Sequence, residues 1–513
     1  MARRDRPRLQ PGVVARLVFA ALTVAIAVLG ACDGAPDDPR ADELAAVLAQ
    51  ADEPLLRGRR ALMAGKYARM ASTPYSFLRG SLPLYRHDAR AGTSAISVSR
   101  FALDLPLVPS IGDPHFENFG ALRASDGTLG LEPNDFDAAD RAPYLWDLRR
   151  LVSGMALAAR VSNDDDPAAR AATAAQARAV AVATALGYRT AIERAASGAP
   201  GQRFTSTSAG ADNPILSDVF SRSDRDELLR RELATLTTLT GTTRRLVRGG
   251  VDPGDPENLF LDLPAAAYAA LPAALERWRA SLVVPIPASD LVLLDAVREL
   301  GTGVSSWPRV RLVLLVRGPT DDPGDDRLLE LKELADSGIA GLYPPGVHHD
   351  NVGLRILETS RAAWARPDAE PRWGVTQWLG LRCQVRAETE GQKNLRTSRL
   401  VGARGTAAAL AGAGSVLGGI VARVHTAGPD GASNARAVYA RIALDPEGFV
   451  EEQVEVSLGY AALTLGDHAR FRGALARFGY ALGMPFDPAD AARPDFAALL
   501  GTPPPPPPLE PAP

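Results

Sequence analysis

Hydrophobic spacing divides this chain into helical and strand-like stretches. Leu44, Val47, Leu48, Leu55, Leu56 and Leu62 recur at helical intervals and predict helix across Ala41–Met70. Trp146–Val161 and Ala168–Ala195 read as long helices rich in Ala and Arg. Arg222–Thr238, Leu271–Leu282, Thr406–His425 and Pro446–Leu465 carry helical patterns too. Between Tyr75 and Asp147 the pattern shortens and Gly and Pro break it repeatedly, which predicts short strands and functional loops. A β-type run at Arg309–Val316 is followed by a turn segment, Gly318–Asp326, and a second strand, Arg327–Lys332. Trp373–Trp378 and Leu381–Arg386 extend the same sheet. A mainly helical body that holds a small antiparallel sheet is an α+β arrangement.

Both ends fall outside this pattern. Arg3, Arg4, Arg6 and Arg8 precede an apolar run from Val13 to Leu29, broken only by Arg16, and then Gly30-Ala31-Cys32. A basic start, a short apolar core and small residues before a cleavage point describe an export signal. The end Leu29-Gly30-Ala31-Cys32 resembles a bacterial lipobox, so Cys32 is expected to be lipidated and to tether the protein to a membrane surface at the cell envelope. The alternative is an uncleaved anchor, for which the run is near the lower length limit. The proline run Pro503–Pro508 cannot pack a core. The expected organisation is signal 1–32, tether and first helix 33–74, helical lobe 75–290, small β-containing lobe 291–398, closing helices 399–490 and Pro-rich tail 491–513.

Composition adds little. A net charge of −3 gives no electrostatic footprint for nucleic acid. Of the two cysteines, lipidation of Cys32 would leave Cys383 alone, a small core residue without a disulfide partner. His348 and His349 sit in a loop without further Cys or His at ligand spacing, which argues against zinc.

The chemistry is concentrated in Gly112-Asp113-Pro114-His115-Phe116-Glu117-Asn118-Phe119-Gly120 and Asn134-Asp135-Phe136-Asp137. A loop with Asp113 and Asn118 five apart can bring both side chains to one centre. Asp135 and Asp137, two apart in extended chain, face the same side while Phe136 points into the core. Two such carboxylates repel unless a proton or cation lies between them. Mg²⁺, held by one or two carboxylates together with substrate phosphates, suits them; the bland alternative is acids that cap helices and turns. A lone His115 is more often a hydrogen-bonded structural residue than a base, and it stands as a secondary catalytic candidate. Arg79, before Gly80, reaches phosphate or pairs with a neighbouring helix. Lys332 shares a strand face with Glu330, opposite Leu329 and Leu331. Behind the Gly301-Thr302-Gly303 turn it has the mechanics of a phosphate-gripping lysine, or of a solvated one.

Together these segments resemble a bacterial domain-of-unknown-function family, number 2252, itself similar to a distant, rearranged protein-kinase and aminoglycoside-phosphotransferase fold. The resemblance rests on Arg79-Gly80, Gly112–Gly120, Asn134–Asp137 and Trp146-Asp147-Leu148. It continues through Gly301–Leu315, Leu331-Lys332-Glu333, Gln384-Val385-Arg386 with Lys393, and Ala422–His425. It implies a permuted kinase-like fold in which Asp113 accepts the proton of a substrate hydroxyl. Asn118 and Asp135, supported by Asp137, would hold Mg²⁺, and Lys332 would contact the phosphates of ATP or another nucleotide under the turn of Gly301 and Gly303. Ser305, Ser306, Trp307 and Pro308 depart from the family's more glycine-rich turn. An exported protein meets little ATP, which pulls against nucleotide chemistry. Two alternatives follow: a kinase-like envelope lipoprotein that binds a ligand or partner without transfer, and a metal-dependent hydrolase. The substrate, small molecule or protein, is not named by the sequence.

Overall fold

The computed structural model describes residues 38–478 apart from 93, 103–104, 162–166, 200, 202, 253–254, 335–351 and 389–390. The expected export signal with Cys32, the segment holding His348 and His349 and the Pro-rich end lie outside the described residues.

The first helical stretch is two helices, α1 (Pro39–Gly58) and α2 (Arg60–Ser72). The break at Arg59 has a cause. Its backbone leaves the helical region at φ −138°, and its buried guanidinium donates to Glu333 Oε2 at 2.5 Å and to the Pro308 carbonyl at 3.1 Å. Two short helices follow, α3 (Pro74–Gly80) and α4 (Leu82–Arg90). The Thr73 hydroxyl caps α3 by accepting from Ser76 N at 3.0 Å, and Pro74 fits its first turn. Arg79 is therefore helical, where the sequence pattern predicted strand and loop.

Next come β1 (Val108–Ser110), β2 (Phe119–Arg123), β3 (Leu129–Pro133) and β4 (Asp140–Ala142), then the long helices α5 (Tyr144–Val161) and α6 (Pro167–Ala196). Strands β5 (Phe204–Thr205), β6 (Thr237–Thr240), β7 (Thr243–Leu246), β8 (Gly249–Asp252) and β9 (Asp255–Asp262) precede α7 (Leu271–Ala280). The second half supplies β10 (Leu293–Leu300), β11 (Arg311–Val316) and β12 (Arg327–Glu333). Helix α8 (Val352–Ala363) is followed by β13 (Gly374–Trp378), β14 (Leu381–Ala387) and β15 (Lys393–Asn394). Helices α9 (Ala407–His425) and α10 (Pro446–Phe478) close the helical body.

The main sheet is antiparallel, in the order β13-β14-β12-β11-β10-β9-β8. Its strands β8 and β9 come from before residue 291, so the sheet reaches back beyond the expected lobe boundary. A smaller sheet runs β15-β2-β3-β5, and β1 pairs with β4. One face of the main sheet is apolar: Leu312, Leu314, Leu329, Leu331, Cys383 and Val385 pack in one cluster with Leu271, Leu275 and Trp278 of α7. The other face carries charge. Register aligns Glu299, Arg311, Lys332 and Gln384 across four strands, with Glu330 opposite Arg386 in the next row. Period-2 alternation thus turns one face to the core and the other to the site.

Helix α9 is long and apolar enough to cross a membrane, yet 56% of its apolar window is buried inside the protein. It packs on α6 through small residues. A Cβ added at Gly187 would meet the Ser415 carbonyl oxygen at 2.1 Å, and one at Gly418 would meet the Thr184 carbonyl oxygen at 2.2 Å. Alanine normally improves a helix by up to about 1 kcal/mol over glycine. Here the clash reverses the sign: Gly187→Ala and Gly418→Ala should each lose about 1–3 kcal/mol in denaturant unfolding. Gly459→Ala in α10, where an added Cβ meets nothing within 4 Å, should be neutral or stabilising.

Candidate active site

The two acidic segments and the lysine strand line one cavity of about 1370 Å³, whose walls include Asp113, Asn118, Asp135, Asp137, Gly303 and Lys332. That exceeds the roughly 300–1,000 Å³ of a single-ligand pocket. Lys332 Nζ lies 2.8 Å from Asp137 Oδ2 and 3.3 Å from Asp135 Oδ2. Both aspartates therefore face one side, as their spacing predicts. Phe136 between them is buried, its ring 5.9 Å from those of Trp364 and Trp373. The Lys332 side chain is 6% exposed, Asp137 18% and Asp135 35%.

Charges around the trio set its protonation. Burial works against an ionised Asp135, but Lys332, the Asp137 backbone N–H and Arg386 outweigh it and hold the carboxyl at about 2. Asp137 is raised, by burial first and then by Asp135. Lys332 is raised despite burial, because both aspartates favour its charge. Behind it, Glu330 accepts from Arg386 Nε at 3.0 Å and pairs with Arg311. Arg386 Nη1 also donates to the Asn134 carbonyl at 3.1 Å, tying the sheet to the acidic segment. Burial pushes Glu299, at the end of the row that holds Arg311 and Lys332, up to about 8, and Glu388, two residues past Arg386, up to about 7.

Asp113 is anchored from the helical body. Its Oδ1 accepts from Arg150 Nε at 2.8 Å, its carbonyl accepts from Asn118 Nδ2 at 2.8 Å, and burial raises its carboxyl against the pull of Arg150. The preceding turn needs glycine: Gly112 has φ +84°, and an added Cβ would meet the Ala138 carbonyl oxygen at 1.9 Å. Asp147 of α5 accepts from Ser110 Oγ at 2.7 Å, Ile111 N at 2.7 Å and Gly112 N at 3.0 Å. His425 Nε2 stands 3.4 Å from Asp147, and its Nδ1 meets the Tyr188 hydroxyl at 2.8 Å. The buried Arg86 donates to the Ala138 carbonyl at 2.9 Å and the Gly112 carbonyl at 3.4 Å, bridging the two acidic loops. Sequence reasoning passed over Arg86 and Arg150, and it named Glu330 and Arg386 without giving either a role in the site. Arg150 follows Trp146-Asp147-Leu148 directly, and Glu330 lies one strand repeat from Lys332, so spacing was the available signal.

His115 is buried, with Nε2 3.9 Å from Asp113 Oδ2 and no partner for Nδ1. Arg79 lines the cavity but pairs with Glu117 at 2.8 Å, and Glu117 also accepts from the Thr397 backbone and hydroxyl at 2.8 and 2.6 Å. That is the helix-pairing alternative. Gly301 and Gly303 are both left-handed, at φ +90° and +80°. Gly301 shapes the turn: an added Cβ would meet the Glu257 carbonyl oxygen at 2.1 Å, and its own carbonyl accepts from Arg69. Gly303 and Thr302 reach the cavity wall, whereas Gly301 does not. Trp307 is buried against Gly65, which pins the turn to α2. Lys393 is held by Glu232 at 2.5 Å and Asp226 at 3.4 Å.

Asn118, Asp135 and Asp137 are the residues that could hold a divalent cation. Asp137 Oδ1 is buried and accepts no hydrogen bond, an open acceptor of the kind such a cation fills. Among the described residues no group of three or more His, Cys, Asp or Glu is arranged around a metal position, so phosphate oxygens would have to complete the shell.

The chain matches, over residues 59–474, the family described as uncharacterized protein conserved in bacteria, DUF2252. It belongs to that family. No curated protein and no solved structure matches it. The DUF2252 match spans both acidic segments and the lysine strand, and the part of the cavity wall from Val47 to Leu55 lies ahead of it.

Burial, aided by Arg79 and Arg150, drives the His115 proton affinity well below the ordinary 6.5. Folded protein then keeps His115 neutral while unfolded chain takes up a proton below pH 6.5. Stability should fall with pH there, by about 1.4 kcal/mol per unit from this group. Urea titrations from pH 7 to 5 should show a shallower loss for His115→Asn than for wild type.

Proposed function

We propose that this protein is a Mg²⁺-dependent phosphotransferase that moves a phosphoryl group from ATP or a similar nucleotide to a hydroxyl, and that it works at the cell envelope, tethered through lipidated Cys32. The observation that carries the proposal is the lysine of β12 meeting the paired aspartates on a cavity wall that Asp113 and Asn118 share. Phosphoryl transfer depends mainly on positioning and on neutralising charge, and this donor set supplies both.

Support for a kinase-like arrangement comes from chain order within the main sheet. A left-handed glycine turn joins β10 to β11, the lysine stands on the next strand, β12, and α8 intervenes before β13 and β14. Kinases likewise place a glycine-rich loop before a strand lysine. One difference is clear. In kinases that lysine pairs with a helix glutamate, whereas the sole acid of α8, Glu358, is exposed and Lys332 pairs with the aspartates. The acidic loops also precede the sheet in this chain, so on this reading the arrangement would be a permuted one.

Asn118, Asp135 and Asp137 would hold the cation, which when bound neutralises the nucleotide's phosphate oxygens. Lys332 would grip the phosphates. Asp113, oriented by Arg150 and raised by burial, would take the proton as the acceptor oxygen bonds to the terminal phosphorus and the bond to the bridging oxygen breaks. The cavity has room for nucleotide and acceptor together. A second reading, ligand binding without transfer, is favoured by the turn that Trp307 pins in place. The hydrolase reading is weaker, because the acids are not gathered into a multi-ligand metal cluster among the described residues.

ATP with Mg²⁺ at one hundred times Kd should stabilise the wild type by about 2.7 kcal/mol in thermal unfolding. Lys332→Ala and Asp135→Asn should abolish the shift. Asp113→Asn should keep it while losing phosphate transfer; retention of the shift with no turnover in the wild type either would select the non-transferring reading. Fatty-acid labelling of cells should mark the wild-type chain, and Cys32→Ala should leave it unlabelled.

A further inference from the structure

Lys332 occupies the place where a cation would neutralise the paired aspartates. Its Nζ lies 2.8 Å from Asp137 Oδ2 and 3.3 Å from Asp135 Oδ2, and its side chain is 6% exposed. The neighbouring cation, Arg386, is already committed to Glu330 and the Asn134 carbonyl. On one side of Lys332 the strand register sets Arg311, paired with Glu330, and on the other the buried Gln384. The ammonium is thus the tethered counter-ion of the aspartates, held at the high local concentration that covalent attachment gives.

We infer that the cleft takes a divalent cation only together with a polyphosphate, because Lys332 blocks the cation's place until phosphate oxygens draw the ammonium away. This rests on the phosphotransferase reading and adds an order to it. A free cation arriving alone meets a positive charge between its two carboxylates and is repelled by it. A polyphosphate offers the ammonium new acceptors. Asp135 and Asp137 then face the cation, which also gains the phosphate oxygens that two carboxylates alone do not supply. Occupancy by each partner therefore favours the other, and the coupling acts equally in both directions. The ligand class is the metal–polyphosphate complex, and the bare metal binds poorly.

The test measures Mn²⁺ binding by electron paramagnetic resonance on the full chain without nucleotide, for the wild type, Lys332→Met and Lys332→Gln, each checked for native circular dichroism. Both variants should bind Mn²⁺ about ten-fold or more tightly than wild type, within the range of ordinary coupling energies. In calorimetry, Mn²⁺ should tighten binding of a non-hydrolysable ATP analogue to the wild type by a similar factor. Equal Mn²⁺ affinity in wild type and variants, with the analogue still bound, overturns this inference and leaves the phosphotransferase reading standing. Failure of all three proteins to bind Mn²⁺, together with failure of the wild type to bind the analogue, overturns both. Should both variants unfold, Asp137→Asn in the wild-type background replaces them: it removes one lysine partner, so the gain in analogue affinity on adding Mn²⁺ must shrink, and an unchanged gain overturns the inference.

Discussion

The ion triad of Lys332, Asp135 and Asp137 is the constraint around which the rest is arranged. It joins residues 197 positions apart and brings the charged face of the main sheet against the acidic loops of the helical body. Moving three charges to a mostly buried wall costs several kcal/mol per ion before any attraction is counted. The structure offsets that cost locally. Asp135 Oδ1 accepts the Asp137 backbone N–H at 3.1 Å, and Arg386 anchors the preceding Asn134 carbonyl at 3.1 Å. Arg355 of α8 binds the carbonyls of Asp137 and Ala139 from behind. An ion group this well supported is a costly way to stabilise a fold, and a reasonable way to keep charges aimed into a cleft.

The helical body has an active part in this. Arg86 from α4 donates to the Gly112 carbonyl, Asp147 of α5 accepts from the Gly112 amide, and Arg150 of α5 donates to the Asp113 carboxylate. A loop of this kind would otherwise wander, since Gly112 is left-handed and no regular strand continues through it. Fixing it through buried charged groups means that removing any one leaves another buried and unpaired. Positioning of Asp113 and integrity of the core are consequently the same property of the molecule.

The sequence carried part of this plainly and part not at all. Local periodicity was enough for the aspartate pair, for Phe136 turning inward, and for Lys332 sharing a face with Glu330, because a two-residue repeat decides each. It was enough for α5, α6 and α9, each a long run with no proline in its interior. It missed the break at Arg59, since that residue leaves its helix to satisfy Glu333, almost three hundred positions later in the chain. Arg79 and Gly301 show the same limit: one is claimed by Glu117, the other is required by the Glu257 carbonyl, and neither partner is a sequence neighbour. The sheet's extension back to β8 was hidden for a similar reason, as pairing of β9 with β10 crosses the helical segment that holds α7. Long-range ion pairs and strand order are set by the closed fold, and one sequence does not print them.

The row Glu299, Arg311, Lys332 and Gln384 is built by antiparallel register alone, so it is indifferent to whether the acidic loops come before or after it. What must be conserved physically is one lysine at the row's centre and two carboxylates within its reach. Trp307, by pinning the glycine turn, removes the loop closure that a more flexible turn would contribute. On the proposed function, response to a ligand falls to the smallest movable unit at the wall, a lysine side chain with two carboxylates to leave and phosphate oxygens to gain, while the sheet and helices that aim it stay where they are.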